Sequence, residues 1–348
     1  MTPAGGQKPR PLALSLGDPA GIGPEITVKA WAALRHTGPA FMVVGDRDAL
    51  AAAAPGFGPG AVQRVGAPHE AAAVFSRALP VLDLPLLAPV VAGKPSPSYA
   101  GSVVRWIETG AGLALSGAVS GLVTAPIAKK PLYDAGFSFP GHTEFLEELT
   151  AGVDYAGARG PVMMLTAADL RCVLATIHLP LSEVPRALST ERIIEVARVT
   201  CFALQQDFGV EKPRLALAGL NPHGGEEGAL GREEIEIINP AAARLRALGV
   251  DCTDAKPADT LFHPAARANY DAVICLYHDQ ALIPVKTIDF WGGVNVTLGL
   301  PIVRTSPDHG VGFEIAGRGL ARADSLIAAI RMAADIAARR EAARAQRA

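Results

Sequence analysis

The sequence predicts an α/β protein built on a largely parallel sheet, and three observations carry that reading. Short apolar runs bounded by glycine, proline and small polar residues alternate with stretches of helical pattern along the chain. The 348 residues are 49% apolar, enough for two lobes that each bury a core. Three histidines, His178, His223 and His278, each stand just past the end of an apolar strand, and the ends of strands are where open α/β sheets bind ligands.

Composition removes several classes. With a formal charge of −2 and 5% aromatic residues, the chain offers neither a basic face nor a base-stacking platform, so nucleic acid is not an expected partner. Cys172, Cys201, Cys252 and Cys275 lie far apart with no C-x-x-C, which speaks against a thiolate zinc site or a disulfide framework. They read as small buried hydrophobes in a reducing compartment. The start, MTPAGGQKPR, reads as a polar tail, and the apolar run behind it stops at Leu16, too short for the core of a signal peptide. No stretch offers ~18 uninterrupted apolar residues, so no membrane is expected and the location expected is cytoplasmic.

In chain order, PLALSLGDPAGIGPEITVKA reads as a strand, a Gly-Pro turn and a helix beginning near Pro24, a proline suited to a first helical turn. FMVVGDRDAL gives a second buried strand, APGFGPGA a surface loop, residues 67–79 a helix, 81–91 a strand or loop, and 100–117 a helix. A strand then reaches Thr124, Lys129 and Lys130 open a short helix, and Thr143 is the expected N-cap of the next. The cluster of prolines and glycines from Pro126 to Pro140 suits a passage between lobes. Further on come a strand over 171–176, a helix over 190–207, the strand PRLALAG, and a strand over 272–276.

The candidate chemistry falls into three sets. His178, His223 and His278, spaced by 45 and 55 residues, are plausible neutral imidazole ligands for a divalent cation, although each taken alone also reads as an ordinary loop residue. Asp259 and Asp279 are candidates to orient a ligand histidine, or else plain turn residues. Lys286, Asn295 and Arg304 lie in the mostly apolar stretch from Tyr277 to Gly310, which reads as core. Their donors suit a phosphate or a carboxylate, and internal ion pairing stays open as the other reading. The third set is the Gly-rich DHGVGFEIAGRG ahead of a C-terminal helical run, a possible nucleotide cradle or a plain loop.

Several long motifs stand in fixed order over nearly the whole chain: GDPAGIGPE at 17–25, TAPIAK at 124–129, FPGHTEF at 139–145, TIHLPL at 176–181, GLNPHGGEEG at 219–228, PADTLF at 257–262, YHDQ at 277–280 and GVNVTLGLPIVRTSPDHG at 293–310. Together they resemble the 4-hydroxythreonine-4-phosphate dehydrogenase family, NAD-dependent enzymes of pyridoxal phosphate biosynthesis. Two segments also resemble the isocitrate and isopropylmalate dehydrogenase superfamily: GDPAGIGPE is similar to its GDGIGPE loop, and HGVGFEIAGRGLA at 309–321 to its HGSAPDIAGKGIA cofactor segment. This likeness implies a two-lobed α/β/α sandwich with a cleft between lobes. The expected first lobe is 1–130 completed by 295–348, on the cofactor side, and the second is 131–294, on the metal and dimer side.

The resemblance further implies that His178, His223 and His278 ligate one divalent metal (zinc, magnesium or cobalt), and that His142, Thr143, Lys286, Asn295 and Arg304 contact substrate. Gly17, Asp18, Gly21, Gly23, Asp308, His309 and Gly310 are the expected cofactor residues, for NAD with NADP possible, bound without a Rossmann fingerprint. Lys286 and Asp279 are the catalytic candidates, with Lys286 or a hydroxide beside the metal as proton acceptor. A homodimer is implied, its active sites at the interface and its ligands drawn from both subunits. The expected reaction oxidises 4-phosphohydroxy-L-threonine to a β-keto acid that then loses carbon dioxide. Two departures stand out: Gly225 and Glu227 vary the loop after His223, and Arg322 replaces an Asn of the superfamily segment. Other readings of the same residues are a dehydrogenase for phosphorylated threonate or erythronate, a metal-dependent phosphoester hydrolase, and a non-catalytic metabolite-binding protein.

Overall fold

The computed structural model describes residues 10–347, so the polar tail expected at the N-terminus lies almost wholly outside the described residues. By internal contacts the chain divides into two units, one formed by 1–152 with 302–337 and the other by 153–301 with 338–348. Both are α/β.

In the first unit the chain runs β1 (Leu12–Ser15), α1 (Gly23–Leu34), β2 (Phe41–Gly45), α2 (Arg47–Ala52), β3 (Val62–Arg64), α3 (Pro68–Val74), β4 (Leu79–Asp83), α4 (Ala100–Leu115), β5 (Leu122–Thr124), α5 (Lys129–Asp134) and α6 (His142–Thr150). The second unit continues with β6 (Val162–Ala167), β7 (Leu170–Leu174), α7 (Val184–Ala187), α8 (Thr190–Phe208), β8 (Arg214–Ala218), α9 (Asn239–Ala247), β9 (Asp251–Lys256), α10 (Pro264–Arg267), β10 (Ala272–Cys275), α11 (His278–Ile288) and β11 (Val294–Leu298). The chain closes with β12 (Arg304–Pro307) and α12 (Asp324–Arg347).

Strand order in the first unit is β3-β4-β2-β1-β5-β12, and every pairing is parallel. Its strands are buried on both faces, which is why Leu12, Leu14, Phe41, Met42 and Val43 read as unbroken apolar runs. The two large rings of this core keep their polar edges satisfied. Trp31 Nε1 donates to the carbonyl of Phe75 at 2.7 Å, and Trp106 Nε1 to that of Leu84 at 2.9 Å.

The second unit departs from the expected parallel pattern. Its order is β11-β6-β7-β10-β8-β9, and the pairs β11/β6 and β6/β7 are antiparallel. Only Ala168 and Asp169 join β6 to β7, and so short a connection can make only a hairpin, with Ala168 at φ 51° to close it. The remaining pairs, β7/β10, β10/β8 and β8/β9, are parallel. Helix α8 covers this unit, begun by Ser189, whose hydroxyl accepts from the Arg192 amide, and ended by Gly209 at φ 70°. The buried pair Arg340–Asp207 holds the end of α12 in this unit through two charge-assisted bonds of 2.7 and 2.8 Å.

Three local expectations are corrected. Thr143 is not an N-cap: α6 starts one residue earlier, after an extended Gly141, no side chain caps it, and Thr143 is buried inside its first turn. The stretch from Tyr277 to Gly310 is not continuous core, because Ile283, Phe290 and Trp291 are at least half exposed. The helix expected over residues 67–79 is shorter, since Leu79 already begins β4.

Candidate active site

In the second unit, His178 and His278 come together, their ring centroids 5.7 Å apart. His178 follows β7 and holds φ 52°, outside the usual range for a residue with a side chain, so the backbone there is strained. His278 opens α11 directly after β10. Its Nδ1 lies 2.7 Å from Oδ1 of Asp279. An imidazole held by a carboxylate at one nitrogen presents the other to a cation, the arrangement that orients metal-ligating histidines.

His223 occupies an unusual loop. From His223 to Glu227 the backbone is left-handed throughout, with φ of 54°, 67°, 82°, 45° and 54°. His223, Glu226 and Glu227 are not glycine, and each costs of order 1–2 kcal/mol in this region. The buried carboxylate of Glu234 holds the turn's entry. It accepts from the amides of Leu220 and Asn221 at 2.7 and 2.8 Å and from Asn221 Nδ2 at 2.9 Å. Gly225 is required as glycine, since it holds φ 82° and a Cβ there would lie 2.8 Å from the Gly231 carbonyl oxygen. Gln280 then ties the end of β10 to the end of β8, accepting from the Leu276 amide at 2.7 Å and donating to the Gly219 carbonyl at 2.7 Å. Neither Glu234 nor Gln280 was among the sequence candidates, although Gln280 closes the YHDQ motif. Among the described residues, no three His, Cys, Asp or Glu side chains gather as a metal-holding group.

Asp259 and Asp279 line a common cavity of about 310 Å³ with Tyr277, Gln280, Ile283 and Pro284. Lys286, two turns along α11 from His278, has its ammonium 5.2 Å from the centre of the Phe290 ring. Asn295 sits on β11 opposite Leu165. Its Oδ1 is buried without a hydrogen-bond partner, and such an atom costs about 1–3 kcal/mol unless a ligand supplies the donor.

The first unit carries a separate cluster. Arg304, at the start of β12, is 3% exposed and donates from Nη2 to the Thr124 hydroxyl at 2.7 Å. Burial pushes its guanidinium down to about 10, partly offset by the Glu144 carboxylate, so it stays charged at neutral pH. His142 is held well below the ordinary imidazole range, first by burial and then by the charges of Arg304 and Lys129. It is therefore neutral near pH 7, and its buried Nε2 has no hydrogen-bond partner. Thr143 is buried beside it in the sequence. A buried cation, a neutral imidazole with an unused nitrogen and a nearby lysine suit an anion. Lys129, Glu144 and Thr124 join this cluster by tertiary placement; TAPIAK and FPGHTEF contain them without marking them.

The loop after β1 is packed by its glycines. A Cβ on Gly17 would meet the Pro126 carbonyl oxygen at 2.4 Å, on Gly21 that of Val311 at 2.8 Å, and on Gly23 that of Leu16 at 2.4 Å. Close approach of backbone to backbone is what these positions require. Burial pushes the Asp18 carboxyl up, opposed by the Ala20 amide, which donates to Oδ1 at 2.9 Å. The amide of Asp308 donates to the Ser325 hydroxyl at 3.0 Å, whereas His309 and Gly310 are exposed, with nothing within 4 Å of a Gly310 Cβ.

Over 331 residues the chain is 69% identical to a 4-hydroxythreonine-4-phosphate dehydrogenase of Caulobacter vibrioides, covering 95% of this chain and 98% of that one. It is 57% identical to one of Maricaulis maris, over 94% and 97% of the two chains. A crystal structure of 4-hydroxythreonine-4-phosphate dehydrogenase from Klebsiella pneumoniae superposes with a TM-score of 0.81 at 38% identity, covering 94% of this chain and 99% of that one. A model of the family described as pyridoxal phosphate biosynthetic protein PdxA matches residues 38–333, and the chain belongs to that family.

Proposed function

We propose that this protein is a metal-dependent dehydrogenase that oxidises 4-phosphohydroxy-L-threonine with NAD to 2-amino-3-oxo-4-phosphooxybutanoate, which decarboxylates to 3-amino-2-oxopropyl phosphate in pyridoxal phosphate biosynthesis. The observation that carries the reading is the pairing of His178 with a His278 whose Nδ1 is held by Asp279, in a chain 69% identical to a named 4-hydroxythreonine-4-phosphate dehydrogenase.

His178 and His278 are the pair that would begin to hold a divalent metal, with His223 the third donor that the family resemblance implies, and imidazole donors favour zinc or cobalt over magnesium, which prefers oxygen. When bound, the cation supplies Lewis acidity at the reacting alcohol, of the kind that lowers the pKa of water from about 15.7 to about 7, and NAD supplies the hydride acceptor.

The chain's own residues do the rest. Asp279 fixes the tautomer of His278 so that Nε2 faces outward. Arg304, with Thr124 behind it, meets one anionic group of the substrate, and His142 offers a neutral nitrogen that bonds without adding charge. Asn295 contributes a buried acceptor to a substrate donor, and Lys286 is a candidate to take the proton of the alcohol. Gly17, Asp18, Gly21, Gly23, Asp308, His309 and Gly310 belong to the loops that would meet the cofactor. The working enzyme is a homodimer with its active site at the interface.

Steady-state rates with 4-phosphohydroxythreonine and with phosphorylated threonate and erythronate test the substrate assignment. A kcat/KM higher for the amino acid by about tenfold or more supports it; a preference for a sugar acid overturns it. Release of phosphate without reduction of NAD would place the protein among hydrolases instead.

A further inference from the structure

The first turn of α1 carries a buried carboxylate whose partners lie on its own helix and on a segment nearly 300 residues away. Glu25 is 8% exposed. Its Oε1 accepts from Lys29 Nζ at 2.8 Å and from the backbone amide of Ala321 at 2.9 Å, while Oε2 is buried with no hydrogen-bond partner. Burying a carboxylate with one oxygen unsatisfied is costlier than burying an amide or an apolar side chain of the same length. Stability alone does not call for Glu at this position.

Lys29 extends the connection. Its ammonium also donates to the carbonyls of Gly319 and Ala321 at 2.9 and 2.6 Å. Ten residues earlier, the carbonyl of Val311 accepts from the Ile22 amide at 2.9 Å. The Gly-rich segment 311–321 is thus fastened at both ends to the start of α1. Between the fastenings it is built from turns, with Ile315 bonding back to Gly312 and Arg318 to Ile315, and Leu320 is 64% exposed. Its shape is imposed from outside, because it contains no strand or long helix to set it.

We propose that Glu25 and Lys29 are positioning residues that set the conformation of segment 311–321 and thereby the affinity for the nicotinamide cofactor. The inference rests on the reading of this segment as cofactor-binding. The charge of the pair matters less than its geometry: Oε1 must accept from Ala321 and Nζ must reach two carbonyls.

The test uses Glu25→Ala, Glu25→Gln and Lys29→Met in the full-length protein, with NADH affinity read by the fluorescence of the bound nicotinamide and kcat read at saturating NAD. Amide exchange of segment 311–321 is followed in parallel. Expected are a Kd for NADH raised about tenfold or more in Glu25→Ala and Lys29→Met, faster exchange in 311–321, a kcat within about twofold, and near-normal affinity in Glu25→Gln, which keeps an acceptor for Ala321. Should Glu25→Ala fail to fold, the partly exposed Lys29 supplies the decisive variant. Unchanged affinity and exchange in the variants, with a wild-type protein that binds NADH, overturn this inference alone. A wild-type protein that binds no NADH overturns the cofactor reading and the inference with it.

Discussion

Nδ1 of His278 and Oδ1 of Asp279, the side chains of two consecutive residues at the start of α11, lie 2.7 Å apart. The contact engages one nitrogen of the imidazole, and the His178 ring lies 5.7 Å away. Asp279→Ala is expected to weaken binding of zinc or cobalt by about 10- to 100-fold, with Asp279→Asn retaining more affinity because its carbonyl oxygen still accepts from Nδ1. Competition against a chelator of known affinity measures it. Equal affinity in wild type and Asp279→Ala would remove Asp279 from the site.

His142 predicts a pH dependence of stability. Its folded-state pKa is held well below the ordinary value of 6.5 by burial and by Arg304 and Lys129. As pH falls beneath 6.5, the unfolded chain takes up a proton that the folded chain refuses, so stability drops through that window and is not penalised above it. His142→Asn therefore loses less stability than the wild type between about pH 7.5 and pH 5.5, as read by urea unfolding at each pH. A larger loss in the variant would contradict the assignment of a neutral His142.

Arg304 serves both folding and the binding of an anion. It is buried, hydrogen-bonded to Thr124, and pushed down to about 10. Removing this one buried charge leaves the Thr124 hydroxyl and the Glu144 carboxylate without it, which lowers stability, and losing a charge-assisted bond to a substrate anion costs roughly 1.5–3 kcal/mol. Arg304→Met is thus expected to lower the melting temperature and, at a temperature where the variant is still folded, to raise KM for the phosphorylated substrate by about 10- to 100-fold. Unaltered KM would show that the anion binds elsewhere.

The cysteines predict chemical inertness. All four are unpaired, Cys172, Cys252 and Cys275 are buried, and burial pushes the Cys201 thiol up to about 12. Thiolate is the reactive form, so a thiol reagent near pH 8 should find no fast-reacting group in the native protein and all four after denaturation. A rapid phase in the native state would contradict the shielding of these thiols.

The parts of this structure that follow from local pattern were legible in the sequence. His178, His223 and His278 could be placed at strand ends because each follows an apolar run of strand length, and the helix expected over 190–207 is α8, Thr190–Phe208. Parallel β1, β2 and β5 were readable from their unbroken apolar character. What escaped depends on contacts distant in the chain. The left-handed turn at His223 contains two glutamates at positive φ, which no residue preference announces, and Glu234 holds its entry from beyond the turn. The β6/β7 hairpin turns on Ala168 and Asp169, a pair without the usual glycine. That a Cβ at Gly17, Gly21 or Gly23 would meet carbonyl oxygens of neighbouring backbone could not be read from the loop's own sequence. The influence of Lys129 on His142 required α5 and α6 to be in place.

The central claim is that this chain couples a histidine-held cation to hydride transfer from a phosphorylated hydroxy amino acid. Its most direct measurement is the appearance of reduced nicotinamide with 4-phosphohydroxythreonine and NAD, before chelation, after chelation, and after restoring zinc or cobalt. Turnover that vanishes with the metal and returns with it, and that is lost in His178→Ala and His278→Ala, is the predicted result. Turnover that persists in fully metal-free protein would contradict the account.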